Sequence, residues 1–148
     1  MSMITIYTDG GCSGNPGPGG WAFVALAQNG AMIACQSGGE RQTTNNRMEL
    51  RAVISALEFA QDMSAESVVI CTDSQYVKNG ITDWIRKWKI NGWKNSKKEA
   101  VKNRELWEEL DDKVSHDRVS FRWVKGHAGI EFNEKCDQMV RAEMEKFL

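Results

Sequence analysis

The sequence predicts an α/β fold, a mixed sheet with helices on its faces. Three β-patterned runs lead the chain, and Asn29-Gly30 joins two of them, the strongest short-range signal for a hairpin. Val68–Cys71 is a continuous apolar run, as in a strand buried on both sides. Helix-periodic stretches then alternate with strand-like ones. A hairpin start followed by β-α-β crossovers requires a sheet with both antiparallel and parallel pairs.

In chain order, Met3–Tyr7 alternates and is rich in β-formers. Gly10–Gly20 is glycine-rich, holds both prolines, and reads as a loop. Trp21–Gln28 and Ala31–Gln36 read as the next two strands. Thr43–Gln61 is a helix with an apolar stripe of Leu50, Val53, Ile54 and Leu57. Val68–Cys71 is the fourth strand. Ser74–Asn79 is a short helix closed by Gly80, and Thr82 is a candidate cap for a helix over Thr82–Trp88. Asn91–Lys98 is a polar, basic loop. Lys102–Val114 is helical, with Leu106, Leu110 and Val114 four apart. Val119–Val124 is the last strand, Lys125–Glu131 a loop and Asn133–Phe147 the final helix.

The 148 residues suit one domain with a real core. The net charge of −1 gives no bulk attraction to nucleic acid, so any such attraction must be local. Cys12, Cys35, Cys71 and Cys136 form no CxxC pair and read as reduced thiols of a cytoplasmic protein. No apolar run approaches the roughly 18 residues that cross a membrane, and no signal peptide is visible.

Chemistry concentrates in four separated carboxylates: Asp9, Glu49, Asp73 and Asp137. Asp9 and Asp73 close strand-like runs, and strand ends are where α/β sheets collect ligands. Each has a plain alternative. Asp9 suits a turn before Gly10-Gly11, Asp73 a helix cap, Glu49 a solvated helix flank, and Asp137 the start of a helix. Together, two strand ends and two helix flanks can converge, and converging acids call for a divalent cation. Oxygen ligands without thiolates favour magnesium or manganese over zinc. His127, in Gly126-His127-Ala128-Gly129, is either an inert loop residue or a proton carrier beside that centre. The glycine-rich stretch lacks the Gly-Lys-Ser/Thr ending of a P-loop. From Trp84 to Arg104, eight cations face one acid, Glu99, for a local charge of +7, with Trp84, Trp88 and Trp93 interleaved. Basic residues track phosphates and aromatics stack on bases. Directly after it, Glu105–Asp117 carries six acids.

The chain resembles bacterial ribonuclease H, type 1, over essentially its whole length. The resemblance rests on six segments in order: Tyr7-Thr8-Asp9-Gly10, Gly14-Asn15-Pro16-Gly17-Pro18-Gly19-Gly20, Thr43-Thr44-Asn45-Asn46-Arg47-Met48-Glu49-Leu50, Thr72-Asp73-Ser74-Gln75-Tyr76-Val77, Trp123-Val124-Lys125-Gly126-His127-Ala128-Gly129 and Asn133-Glu134-Lys135-Cys136-Asp137. It implies a five-stranded mixed sheet of order 3-2-1-4-5, helices on both faces, and one catalytic domain over residues 1–148. It implies hydrolysis of the RNA strand of RNA–DNA hybrids, giving 5′-phosphate and 3′-hydroxyl ends. Asp9, Glu49, Asp73 and Asp137 would hold two magnesium ions, with manganese the alternative, and Asp9 bridging both. His127 would assist proton transfer and product departure.

The resemblance also implies that Cys12, Asn15, Asn45, Asn46 and Gln75 contact the hybrid, including ribose 2′-hydroxyls or minor-groove edges, and that Thr44 holds a DNA phosphate. Trp84–Lys98 matches the family's basic protrusion, with Trp84 and Trp88 against the DNA strand and Lys89, Lys94, Lys97 and Lys98 among its cations. The chain departs from the family at Gln42, where many relatives have Arg, at Lys87, where some have Asn, and at Ile90 and Asn91, which replace a basic pair. The expected protein is a monomer with no obligate protein partner. Two rivals are a non-catalytic hybrid-binding module, which has no use for four converging acids, and a transposase or integrase core, which lacks the motifs around Asn15 and Asn45 and the Trp84–Lys98 protrusion.

Overall fold

The computed structural model describes residues 3–116, 118–124 and 131–148. Its strands are β1 (Met3–Cys12), β2 (Gly17–Leu26), β3 (Met32–Thr43), β4 (Ser67–Thr72) and β5 (Val119–Trp123). Its helices are α1 (Asn45–Asp62), α2 (Gln75–Asn79), α3 (Ile85–Ile90), α4 (Arg104–His116) and α5 (Glu131–Glu145), with a π-helical turn at Gly80–Trp84 joining α2 to α3. The strands form one sheet in the order β3-β2-β1-β4-β5. β1 pairs antiparallel with β2 and parallel with β4, and β4 pairs parallel with β5. The mixed sheet and its order are as expected.

Alternation sorts the sheet onto two faces. Ile4 and Ile6 of β1, with Phe23 and Ala25 of β2, face a core completed by Leu50, Val53, Ile54 and Leu57 of α1 and by Leu106, Trp107 and Leu110 of α4. Each fully buried aliphatic side chain there contributes about 1.5–3 kcal/mol. Ala22 and Val24 of β2 face the other way, onto Cys136 and Val140 of α5. Helices therefore cover both faces, and α5 brings its Asp137 flank to the sheet from the side opposite α1. Among the described residues, no helix is long and apolar enough to cross a membrane.

Three local expectations change. The glycine-rich stretch is mostly strand: Gly11 pairs with Gly20 and Cys12 with Gly19, leaving a tight turn at residues 13–16 with a cis Asn15-Pro16 bond. The glycines are selected by close approach, since a Cβ on Gly20 would lie 2.7 Å from the Val140 carbonyl oxygen of α5. The first helix starts at Asn45, with Thr44 as its cap, its side chain accepting from the Arg47 amide. Thr82 is not a cap. It sits inside the π-helical turn, and its hydroxyl donates to the Lys78 carbonyl at 2.7 Å.

Candidate active site

The parallel pairing of β1 with β4 sets Tyr7 opposite Cys71. Asp9 and Asp73 each lie two residues further along, Asp9 still inside β1 and opposite Ala22 of β2, Asp73 just beyond the end of β4, so they stand side by side where the parallel ladder stops. Gly10 lets α1 close over this point: its backbone runs against the backbone of Met48 and Glu49. Asp137 follows the buried Cys136, whose thiol donates to the Tyr7 carbonyl at 3.4 Å. Four separated segments thus bring four carboxylates together around Asp9 of β1.

The electrostatics record that gathering. Burial pushes the Asp9 carboxyl from its ordinary 3.8 up to about 8, repulsion from Asp73 and Asp137 adds to the rise, and Glu49 contributes less. The Gly10 amide, bonded to Asp9, opposes it. Burial likewise raises Glu49 to about 7. Hydrogen bonds from the Ser74 and Asn45 side chains pull Glu49 down again, while Asp73 pushes it up. Asp137 is held from its own helix by Arg141, Nη2 to Oδ2 at 2.5 Å. Among the described residues, no three carboxylate, imidazole or thiol side chains form a ready metal cage. The donor set still fits a hard divalent cation: all oxygen, partly buried, and carrying more negative charge than the site can hold unprotonated.

Sequence patterning does not single out Ser74 as a site residue. Its hydroxyl donates to Glu49 Oε2 and accepts from the Val77 amide at 3.0 Å, so Ser74, and not Asp73, caps α2. The signal that could find it is its place directly after Asp73 and three residues before Val77. Ser74→Ala should destabilise the fold by about 1 kcal/mol by removing the cap. It should also slow cleavage by about tenfold, because Glu49 loses the donor that orients it. Thermal melting and steady-state kinetics check both; unchanged rates would remove Ser74 from the site.

The residues expected to touch the hybrid fall into two groups. Cys12, Asn15, Thr44, Asn45, Asn46 and Gln75 lie at the end of β1, in the turn after it, and at the starts of α1 and α2, the segments that also carry Asp9, Glu49 and Asp73 or adjoin them. Asn15 Oδ1 accepts from the Asn45 amide at 3.2 Å, joining the turn to the start of α1. Cys12 donates to the Gly17 and Thr43 carbonyls, both at 3.3 Å. Gln75 opens α2 and is exposed.

The second group is the Trp84–Lys98 segment. Trp84 and Trp88 are half-buried and, with Tyr76, Val101 and Lys102, line a cleft of about 250 Å³. The Tyr76 hydroxyl accepts from the buried Trp107 indole at 2.9 Å and from Asn103 at 3.1 Å, which fixes the cleft floor to α4. Lys94, Lys97 and Lys98 are exposed. Lys89 is also exposed, with its ammonium 3.3 Å from Asp111 of α4. His127 and the rest of residues 125–130 lie outside the described residues.

The profile of the RNase H family matches residues 1–145. The chain belongs to the RNase H family. A ribonuclease H of Ehrlichia ruminantium is 51% identical over 147 residues, covering 99% of this chain and 97% of that protein. One from Cereibacter sphaeroides is 53% identical over 150 residues, covering 99% and 98%. Among solved structures, LC9-RNase H1, described as a type 1 RNase H with the type 2 active-site motif, superposes with a TM-score of 0.85 at 33% identity, covering 99% of this chain and 74% of that one. LC11-RNase H1, solved in complex with an RNA/DNA hybrid, gives 0.75 at 25% identity, covering 97% of both chains. The RNase H family is in general divalent-metal dependent. The carboxylates gathered on Asp9 suit such a dependence.

Proposed function

We propose that this chain is an endonuclease that hydrolyses the RNA strand of RNA–DNA hybrids, with two divalent ions, leaving 5′-phosphate and 3′-hydroxyl ends. The observation that carries this reading is the gathering of Asp73, Asp137 and Glu49 around a partly buried Asp9, in a chain half-identical along its length to ribonucleases H. Asp9, Glu49, Asp73 and Asp137 would hold the ions, magnesium or manganese. Ions held there would supply an activated water and neutralise charge on the leaving 3′-oxygen.

The protein's own groups bind and orient. Asn15, Asn45, Asn46 and Gln75 offer amide donors and acceptors to ribose 2′-hydroxyls, which DNA lacks, with Cys12 at the same strand end. Thr44, at the N-terminus of α1, receives a DNA phosphate where the helix end favours an anion. Trp84 and Trp88 lie against the DNA strand, and Lys89, Lys94, Lys97 and Lys98 neutralise its phosphates. His127 moves a proton during the reaction and eases product departure. The protein acts as a cytoplasmic monomer, on nucleic acid alone.

A labelled hybrid incubated with purified protein, with and without magnesium, tests this. Cutting should be confined to the RNA strand and to the sample with the ion. Comparable cutting of duplex DNA, or full activity in excess chelator, would refute it. Replacing Lys89, Lys94, Lys97 and Lys98 with Ala should raise KM and flatten the log–log salt dependence of binding by roughly 0.9 for each phosphate that is no longer neutralised. The maximal rate should change much less, because these lysines serve substrate and transition state alike. A variant with unaltered KM and salt slope would make the segment an ordinary solvated face.

A further inference from the structure

The acids that follow the basic segment have no place in the scheme above, yet they are not idle. Along α4, Glu105 pairs with Arg47 at 2.5 Å and Glu109 with Arg51 at 3.9 Å, both cations coming from α1. Glu108 pairs with Arg104 on its own helix. Asp111 reaches the other way, to Lys89 of α3, Oδ2 to Nζ at 3.3 Å.

Among the described residues, three of the eight cations between Trp84 and Arg104 are therefore ion-paired in the free protein: Lys87 with Asp83, Lys89 with Asp111 and Arg104 with Glu108. The three pairs differ in kind. Lys87–Asp83 and Arg104–Glu108 run along one helix, with side chains 68% and 57%, and 46% and 43%, exposed. Such pairs contribute little in water. Lys89–Asp111 joins two elements, and the Asp111 side chain is only 22% exposed. The pair stands beside the seam where Trp88 packs on Trp107, ring centroids 5.5 Å apart. Less water there means less screening, so this carboxylate holds its lysine more firmly than the other two do.

We propose that Asp111 is an intramolecular rival of the nucleic-acid phosphate for Lys89, and that this exchange tunes how tightly and how salt-sensitively the protein holds its hybrid. The inference rests on Lys89 meeting a DNA phosphate, as proposed above. A phosphate that takes Lys89 must first replace a carboxylate already in contact with it. The cost of that replacement falls as salt weakens the ion pair, so the pair hinders binding most at low salt.

Asp111→Asn is close to isosteric and removes the charge. Hybrid binding, measured without divalent ion over a salt series, should tighten by about three- to fivefold at low salt. The gain should shrink as salt rises, which steepens the log–log slope. Asp111→Glu, which keeps the charge, should bind as the unaltered protein does. In a Lys89→Ala background, Asp111→Asn should change nothing. Weaker binding by Asp111→Asn would make the pair a strut and overturn the proposal. So would unchanged binding, or a gain that survives the loss of Lys89, since that gain would come from net charge alone. Failure of the unaltered protein to cut hybrids would instead sink the proposed function.

Discussion

Asp9→Asn should abolish hybrid cleavage and, in the absence of divalent ions, make the protein more stable. The loss of activity should reach at least about a thousandfold, because the substitution removes the carboxylate on which the other three bear. The stability gain has a definite pH course. Asp9 titrates at about 8 in the folded protein and near 3.8 when unfolded. A raised acid favours the folded state fully below pH 4 and loses that advantage as pH climbs through about 8. Above that range the fold must hold a partly buried carboxylate among other anions, and Asn relieves it of one. The melting temperatures of the two proteins should therefore nearly coincide at pH 4 and separate as pH rises to about 8.

Magnesium offers a second readout of Asp9. At pH 8 it should raise the melting temperature of the unaltered protein, by binding the folded state alone, and raise that of Asp9→Asn much less. Near-normal turnover, or an equal response to magnesium, would show that Asp9 does not hold the ion. Glu49, raised to about 7, bends the same profile at slightly lower pH.

The features legible from sequence are those fixed by local patterning. The stripe of Leu50, Val53, Ile54 and Leu57 is wholly buried, as helical periodicity requires. Val68–Cys71 lies in β4, an internal strand flanked on both sides, as its unbroken apolar run indicates. The carboxylates are legible because two of them close strand-like runs, but their convergence depends on register and on α5 crossing the far face, neither of which is local. The strand order comes with the family resemblance, not with periodicity. Residues 10–20 read as a loop because glycine is a poor strand former by propensity. Here it is required by the helices that approach the sheet at Gly10 and Gly20, a tertiary demand that overrides propensity. The same holds for Lys89: a run of cations reads as a single basic face, and only packing shows that one member is already committed to α4.

Gly10→Ala should damage both stability and catalysis, although it adds a single methyl group and touches no candidate ligand side chain. The new Cβ would press into the Glu49 amide nitrogen and the Met48 carbonyl carbon, and would lie 2.6 Å from the Met48 carbonyl oxygen. All three are backbone atoms of α1, so no side chain can turn aside and the helix itself must move. Overpacking of this kind costs about 1–3 kcal/mol, a fall in melting temperature of roughly 2–10 °C for a domain of this size. Glu49 rides on the displaced turn, next to the carboxylate it must accompany. A misplacement of about 1 Å there is worth about a hundredfold in rate. Gly11→Ala serves as the comparison, because its Cβ would meet the Val140 Cγ1 at 3.2 Å and the Met144 Cε at 3.4 Å, side-chain atoms that can yield. It should melt closer to the unaltered protein and retain more activity. If Gly10→Ala kept both its melting temperature and its turnover, α1 would not owe its position, or Glu49 its aim, to the contact with β1 at Gly10.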